Sequence, residues 1–478
     1  MADKPKLLLY NTLSGKEEQL KAISDKKLSM FVCGQTVYDD AHLGHAKSYI
    51  NFSVVVRWLR HLGYSVRYIQ NITDVDDKII ARARENGEDP LALARRFEGR
   101  FLEDMEAIGV RQDVDEYPRS HDYIDTIAEQ VQMLADKGFA YLLDGDVYYD
   151  VSRFADYTKL SGMKLEELER HRIEPRAGKR NAYDFALWKA AKPGEPSWKI
   201  TVRIGGKKTV LDGRPGWHIE DTAITYKIFG PQYDIHGGGS DLIFPHHTNE
   251  IAQAEGASGK KPFVRYWMHS GMVRVNGEKM SKSLKNFVTI RDVLKRHGAE
   301  SLRVLVCSTH YRKEINYTEK LMAAAHTRLR YMYSALGIFY NANTAGGEDE
   351  EVASIASALK EDFSSAMNDD FNTPVALMRL SGSIDTLRNF VEVNGTVGED
   401  SKKKALGVVL DCAHVLGILE EDSYKERLPD EADRLIKERE LLRRQKRFAD
   451  ADRIRDRLAR EHGIIIEDSE YGTLWYRG

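Results

Sequence analysis

Between Lys27 and Gly87 the chain reads strand, helix, strand, helix, and this alternation restricts the fold more than any other feature. "KLSMFVCG" (27–34) is a short apolar run ending in glycine, the pattern of a buried strand. From His42 to Gly63 the apolar residues Ile50, Val54, Val55, Trp58, Leu59 and Leu62 recur at helical spacing. "YSVRYIQNI" (64–72) alternates again, and "TDVDDKIIARARENG" returns to helix with Thr73 or Asp74 as the expected N-cap. Such a series predicts an α/β fold with a parallel sheet and crossover helices.

Further along, residues 90–140 read as helical. Asp144–Gly145 and Asn276–Gly277 are hairpin turns between β-rich arms. Residues 155–215 are rich in turns and charge and suggest an inserted subdomain. "QYDIHGGGSDLIF" (232–244) reads as strand, and "PHHTNEIAQAEGAS" as the helix after it. Beyond about residue 318 the pattern is helical, with polar loops expected at 341–351 and 394–404. The chain closes on two charged helices and a strand-like end.

With 478 residues, two to four domains are expected. No apolar run is long enough to cross a bilayer, and the start lacks the apolar core of a signal peptide, so a cytoplasmic location is expected. The three cysteines, Cys33, Cys307 and Cys412, are too scattered for a disulfide framework. A net charge of -3 advertises no polyanion partner globally, though a local basic patch is compatible with it.

The chemistry-bearing residues cluster in a few motifs. "HLGH" puts His42 and His45 on one face at the start of a helix, where free N–H groups and a positive dipole end favour a phosphate. Gly44 between them lets a ligand approach the backbone. Alone, such a pair is as readily a surface feature. "KMSKS" (279–283) sets Lys279 and Lys282 in a small-residue loop after a hairpin, suited to clamping polyphosphate.

HLGH followed by KMSKS resembles the class I aminoacyl-tRNA synthetases. The finer resemblance is to the cysteinyl-tRNA synthetase family. It is carried by "FVCGQTVYDDAHLGHAKSYI", "YIQNITDVDDKII", "RPGWHIE", "YDIHGGGSDLIFPHHTNEIAQAE", "GEKMSKSLKN" and "GIIIEDSEYGTLWYRG", in the family's order over nearly the whole chain. Gln35 stands where proline is common.

The resemblance implies a Rossmann-type catalytic domain over 1–317. Within it fall a connective insertion at about 120–215 and the KMSKS region at about 260–317. An α-helical bundle (318–424) and a small mixed α/β anticodon-binding domain (425–478) would follow. It implies catalytic roles for His42, His45, Lys279 and Lys282, and ATP contacts from Gly44, Gly237, Asp241 and Lys282. The amino-acid pocket would involve Gly34, Thr36, Thr73 and Trp217. Arg443, Arg444, Phe448 and Asp452 would contact tRNA, since basic and aromatic neighbours suit single-stranded RNA. The substrates would be ATP with Mg²⁺, L-cysteine and tRNA(Cys), and a monomer is expected.

One Zn²⁺ per chain would hold the substrate thiol. Cysteine and serine differ by one atom, and a metal that prefers thiolate separates them far better than size does. The family's ligands are two cysteines, a histidine and a glutamate. Cys33, His246 and Glu250 match three of them, and the last two lie i, i+4 on one helix face. Where the family has "GWHIEC" this chain has "GWHIED", so Asp221 either ligates directly or orients a ligand from behind. A cysteine–amino sugar ligase on the same core and a non-catalytic tRNA-binding relative are the alternatives. The first lacks the C-terminal block and the second has no need of both motifs.

Overall fold

The computed structural model describes residues 6–163, 176–280, 284, 286–469 and 472–477. The chain forms two compact units, residues 1–292 with 311–316, and residues 293–310 with 317–478.

The first unit is built on strand β1 (Lys27–Thr36), helix α1 (Leu43–His61), strand β2 (Ser65–Thr73) and helix α2 (Asp77–Asn86). Later in the chain come helix α3 (Ile219–Phe229), strand β3 (Tyr233–Gly239), helix α4 (Thr248–Ser258) and strand β4 (Val264–Ser270). The four strands form one parallel sheet in the order β4-β3-β1-β2. The chain moves outward from β1 to β2, then returns to place β3 on the other side of β1. Strand order therefore reverses between β1 and β3, and in open α/β sheets ligands bind at the carboxyl ends beside such a reversal.

α1 is buried along most of its length because both sheet and neighbouring helices cover it. Even Lys47 on it is buried. Its Nζ donates to Ser270 Oγ (3.1 Å), the Gly271 carbonyl (2.8 Å) and the Tyr311 carbonyl (2.9 Å), so three N–H groups meet three acceptors. The expected cap of α2 is corrected. Thr73 remains in the strand, and Asp74 accepts from the backbone and ring of His121. Asp76 caps instead, accepting from Lys78 N at 2.8 Å.

Both expected hairpins form. Asp144 and Gly145 have φ 50° and 90°, and Asn276 and Gly277 have φ 52° and 85°, the left-handed values of a tight two-residue turn. The first opens a five-stranded antiparallel sheet from strands 140–143, 146–149, 185–190, 198–204 and 207–215. The turn-rich stretch is thus part of a sheet that begins earlier than its composition suggests. Residues 90–140 are interrupted between helices Pro90–Ala107 and Ile124–Asp136 by two short 3₁₀ turns.

In the second unit, long helices such as Glu319–Tyr340, Glu350–Asn368, Thr373–Asn394 and Glu399–Leu416 pack into a bundle. The two stretches expected to be polar loops instead meet as short parallel strands, Asn343–Ala345 with Thr396–Gly398. The C-terminal part has helices Asp430–Arg444 and Phe448–His462 and the hairpin strands Ile464–Ser469 and Gly472–Arg477. Ala432, Leu435, Ile436, Leu458, Ile464 and Ile466 form their core. Cys307 and Cys412 are buried, as expected of core residues. No described helix is long and apolar enough to cross a membrane.

α1 lies close to β3 because Gly237 has no side chain: a Cβ there would sit 2.5 Å from the Phe52 ring and 3.0 Å from Val32 Cγ2. Gly237→Ala should cost about 1–3 kcal/mol of stability. Adding Phe52→Leu should recover much of it, and denaturant melts of the two single variants and the double variant give that coupling.

Candidate active site and metal centre

The carboxyl ends of β1 and β3 and the start of α1 enclose a cavity of about 480 Å³. His42 is the N-cap of α1. Its Nδ1 accepts from Gly44 N (3.0 Å) and His45 N (3.4 Å), while His45 Nδ1 accepts from His42 N (3.3 Å). The remaining first-turn N–H, that of Leu43, donates to the Val288 carbonyl. The expectation of free N–H groups is therefore corrected: the histidine rings and the segment after KMSKS take them. Two Nδ1 acceptors require two Nε2–H tautomers, and the rings stack with centroids 3.8 Å apart at 12°. Burial pulls His42 down to about 4 and His45 well below the usual range, so both are neutral donors at physiological pH. Gly44 serves this arrangement too, since a Cβ there would lie 2.8 Å from His42 Cε1.

Val288–Ile290 runs beside Ala41–Leu43, with Ile290 N donating to the Ala41 carbonyl, and Phe287 meets the His42 ring edge-on at 5.3 Å. The segment following KMSKS is thereby stitched to HLGH. Lys279, Met280, Gly238, Gly239 and Asp241 share the cavity wall with His42 and His45. Lys282 lies outside the described residues. Gly237, expected at the nucleotide, is not on that wall; Phe52 fills its space.

β1 leaves register with β2 between Val32 and Gln35, and Cys33 and Gly34 sit at this irregularity. Gly34 N donates to Asn71 Oδ1 at 2.7 Å, and a Cβ on Gly34 would fall 1.6 Å from the Asn71 carbonyl oxygen. Asn71 Nδ2 then donates to Asp221 Oδ1 at 2.6 Å. Gln35 closes the following loop by donating to the Asp39 carbonyl.

Around Cys33 Sγ lie Asp221 Oδ2 (3.3 Å), His236 Nε2 (3.3 Å), His247 Nε2 (3.1 Å) and Glu250 Oε1 (3.9 Å). His246 Nε2 is 3.0 Å from Asp221 Oδ2 and 3.2 Å from Glu250 Oε1. Two overlapping donor sets result, each compact enough for one metal ion: Cys33, Asp221, His246 and Glu250, or Cys33, His236, His247 and Glu250. The remote ring nitrogens are held by His218 for His246, Tyr233 for His236 and His269 for His247. Burial, reinforced by Asp221, raises the carboxyl of Glu250; burial and the Glu250 carboxylate raise the Cys33 thiol. Glu250 Oε2 is buried and has no hydrogen-bond partner among the described residues. Three acids converging in a dry site, one with an orphaned oxygen, fit a divalent cation. His236, His247 and Asn71 escaped the sequence reading, although "IHGGG" and the doubled histidine of "PHH" already marked two of them.

The Trp217 ring stacks on His246 at 4.4 Å. Thr36 and Thr73 are cross-strand partners, Thr36 off the cavity wall and Thr73 donating to Glu220 Oε1 at 2.7 Å. In the second unit, Arg443 pairs with Asp468 at 2.9 Å and lies 5.8 Å over the exposed Phe448 ring. Asp452 pairs with Arg455 at 2.9 Å. Arg444 lines a cavity of about 620 Å³ with Arg388, Arg427, Lys437 and Trp475. Phe448 and Asp452 are not among its lining residues.

Asn71→Ala removes the tie between Gly34 and Asp221 without touching a donor atom. Divalent metal affinity should fall about 10- to 100-fold, measured by competition with a chromophoric chelator, with the fold retained.

The family described as "tRNA synthetases class I (C) catalytic domain" matches residues 19–327, the DALR domain 362–420, and "Cysteinyl-tRNA ligase anticodon binding domain" 425–475. Among curated proteins, a cysteine–tRNA ligase of Thermococcus onnurineus (strain NA1) is 44% identical over 480 residues, covering 98% of each chain. One from Hahella chejuensis (strain KCTC 2396) is 43% identical over 486 residues, 98% of this chain and all of its own. Among solved structures, Mycobacterium tuberculosis methionyl-tRNA synthetase with methionyl-adenylate aligns at TM-score 0.58 and 16% identity, over 82% of this chain and 89% of that one. The ternary complex of Agrobacterium radiobacter K84 agnB2 LeuRS with tRNA and LeuAMS aligns at TM-score 0.59 and 12% identity, over 83% and 84%. These two support the fold alone.

Proposed function

The chain belongs to the cysteinyl-tRNA synthetase family, and from that premise we propose how its own residues activate L-cysteine with ATP and pass it to tRNA(Cys). The cysteine carboxylate attacks the α-phosphorus of ATP, giving cysteinyl-adenylate and pyrophosphate. A terminal ribose hydroxyl of the tRNA then attacks the mixed anhydride and releases AMP.

The observation that carries this reading is the neighbourhood of two sites in one unit. A buried thiol, carboxylate and imidazole cluster closes on Cys33, which is also on the wall of the cavity lined by His42, His45 and Lys279. His42 and His45 hold neutral Nε2–H donors for the triphosphate, their Nδ1 atoms being committed to the backbone. Neutral donors aimed at developing charge stabilise it without having to be stripped of a strong hydration shell. Lys279 and Lys282 add positive charge, and Asp241 accepts from a ribose hydroxyl. Mg²⁺ enters with ATP.

Cys33, Asp221, His246 and Glu250 would hold zinc, with Asp221 in direct contact; when bound, the metal supplies an acceptor that prefers thiolate to the hydroxyl of serine. His236 and His247 then flank the Cys33 sulfur, and Trp217 walls the amino-acid pocket against His246. In the C-terminal domain Arg444 and Phe448 are the groups placed to meet RNA, while Arg443 divides its charge with Asp468. The match over 425–475 argues against an amino-sugar ligase. Buried, separate thiols and the absence of a membrane-spanning helix among the described residues fit a cytoplasmic enzyme.

ATP–pyrophosphate exchange tests the activation step. Cysteine should support it at least about a thousandfold better than serine, and equal exchange with both would sink the thiol-capture reading. His42→Ala should lower the rate of adenylate formation about 100- to 1,000-fold. His42→Asn should retain far more of it, because an amide can accept from the helix end and donate outward as the neutral imidazole does. Single-turnover measurements decide; an alanine variant as fast as the asparagine variant would remove His42 from the chemistry.

A further inference from the structure

Lys47 lies two residues past His45, early in α1, and is buried, yet the reading above gives it no task. Its Nζ has three partners, Ser270 Oγ (3.1 Å), the Gly271 carbonyl (2.8 Å) and the Tyr311 carbonyl (2.9 Å), and none of them is charged. An apolar side chain would fill the same place without the cost of drying an amino group. Helix packing alone therefore leaves the choice of lysine unexplained.

The partners show what the lysine holds. Ser270 ends β4, and Ser270, Gly271, Met272 and Val273 all line the cavity that contains His42 and His45. The same stretch enters the hairpin of Val273–Val275 with Glu278–Lys279, and so leads to Lys279 on that wall. A second piece of backbone supports it. Gly271 N donates to the Tyr311 carbonyl at 2.8 Å, and Ile315 N donates to the Met272 carbonyl at 3.0 Å. A Cβ on Gly271 would lie 2.4 Å from the Lys313 carbonyl oxygen. The Tyr311 carbonyl accepts from Gly271 N and Lys47 Nζ together, which uses both of its lone pairs. Asn51, about one helical turn after Lys47, donates to the Ser270 hydroxyl at 3.1 Å.

The far end of the same segment also returns to α1. Leu43 N donates to the Val288 carbonyl, and Ile290 N to the Ala41 carbonyl. Leu43 and Lys47 are four residues apart and share one face of the helix. Residues 271 and 288 are thereby tied to one turn of α1, the first through a side chain and the second through the backbone. The side-chain anchor does not depend on charge. Burial draws Lys47 down to about 7. As an ammonium it donates to all three oxygens; as an amine it donates to the two carbonyls and accepts from the Ser270 hydroxyl.

We propose that Lys47 is a positioning residue for ATP: it fixes Ser270 and Gly271 against α1 and so sets the distance between the HLGH histidines and the segment that carries Lys279. The inference rests on the reading above that this cavity takes ATP. It adds the residue that holds the cavity wall to the helix.

The test compares ATP with L-cysteine as separate ligands of the full-length, metal-loaded protein, by titration calorimetry with Mg²⁺ present. Lys47→Met keeps the length and removes every donor. It should weaken ATP at least about tenfold and leave L-cysteine within about twofold. Lys47→Gln is shorter but still donates; it should lose less for ATP and leave cysteine equally unaffected. In single-turnover adenylate formation, Lys47→Met should slow the Lys279→Ala protein by a smaller factor than it slows the wild type. Equal losses for both ligands, as a merely structural role gives, would overturn the proposal. So would an unchanged ATP affinity in Lys47→Met, or additive losses with Lys279→Ala. Failure of the ATP reading shows up separately, as wild-type protein that binds no ATP. If Lys47→Met does not fold, Lys47→Gln decides alone: an ATP loss of at least about threefold with cysteine unchanged supports the proposal, and any other result overturns it.

Discussion

The side chain of Asn71 holds the site together. Its carbonyl oxygen receives the Gly34 N–H where β1 breaks register, and its amide nitrogen binds Asp221 on α3. One side chain thus sets the position of Cys33 relative to a helix nearly two hundred residues away in sequence. The backbone oxygen of the same residue presses against Gly34, where even a methyl group has no room. A bulge re-aims the side chain it carries; here that side chain is the thiol at the centre of the cluster.

Two electrostatic arrangements follow from burial. At the start of α1 the rings of His42 and His45 turn their Nδ1 atoms to the backbone, so the helix end passes its positive field through neutral imidazoles. The pull of burial on His42, to about 4, keeps them uncharged. Around Cys33 the sign is opposite. Acids are gathered where water is excluded, a state that costs heavily unless a cation joins them. Asp221, standing where the family has a cysteine, is one of the acids gathered there.

The segment after KMSKS is also joined to HLGH. Val288 and Ile290 pair with Leu43 and Ala41, and Phe287 rests edge-on against His42.

By itself the sequence determined what depends on local periodicity and local turn chemistry. The alternation from Lys27 to Gly87 specified strand, helix, strand and helix. The pairs Asp144–Gly145 and Asn276–Gly277 specified hairpins, because only such residues accept the left-handed backbone of the turn. The i, i+4 spacing put His246 and Glu250 on one face, and both reach the same cluster. Tertiary structure decided the rest, because each remaining question is about a partner. Asp74 lost the cap of α2 to Asp76 since His121 had taken it. Gly237 faces Phe52 and not the cavity, since α1 and not a ligand covers that face of the sheet. Two polar stretches became paired strands when the bundle brought them together. His236 and His247 joined the cluster through Tyr233 and His269, contacts that no periodicity encodes. Period reveals which face of an element is covered; what covers it depends on residues far away in the chain.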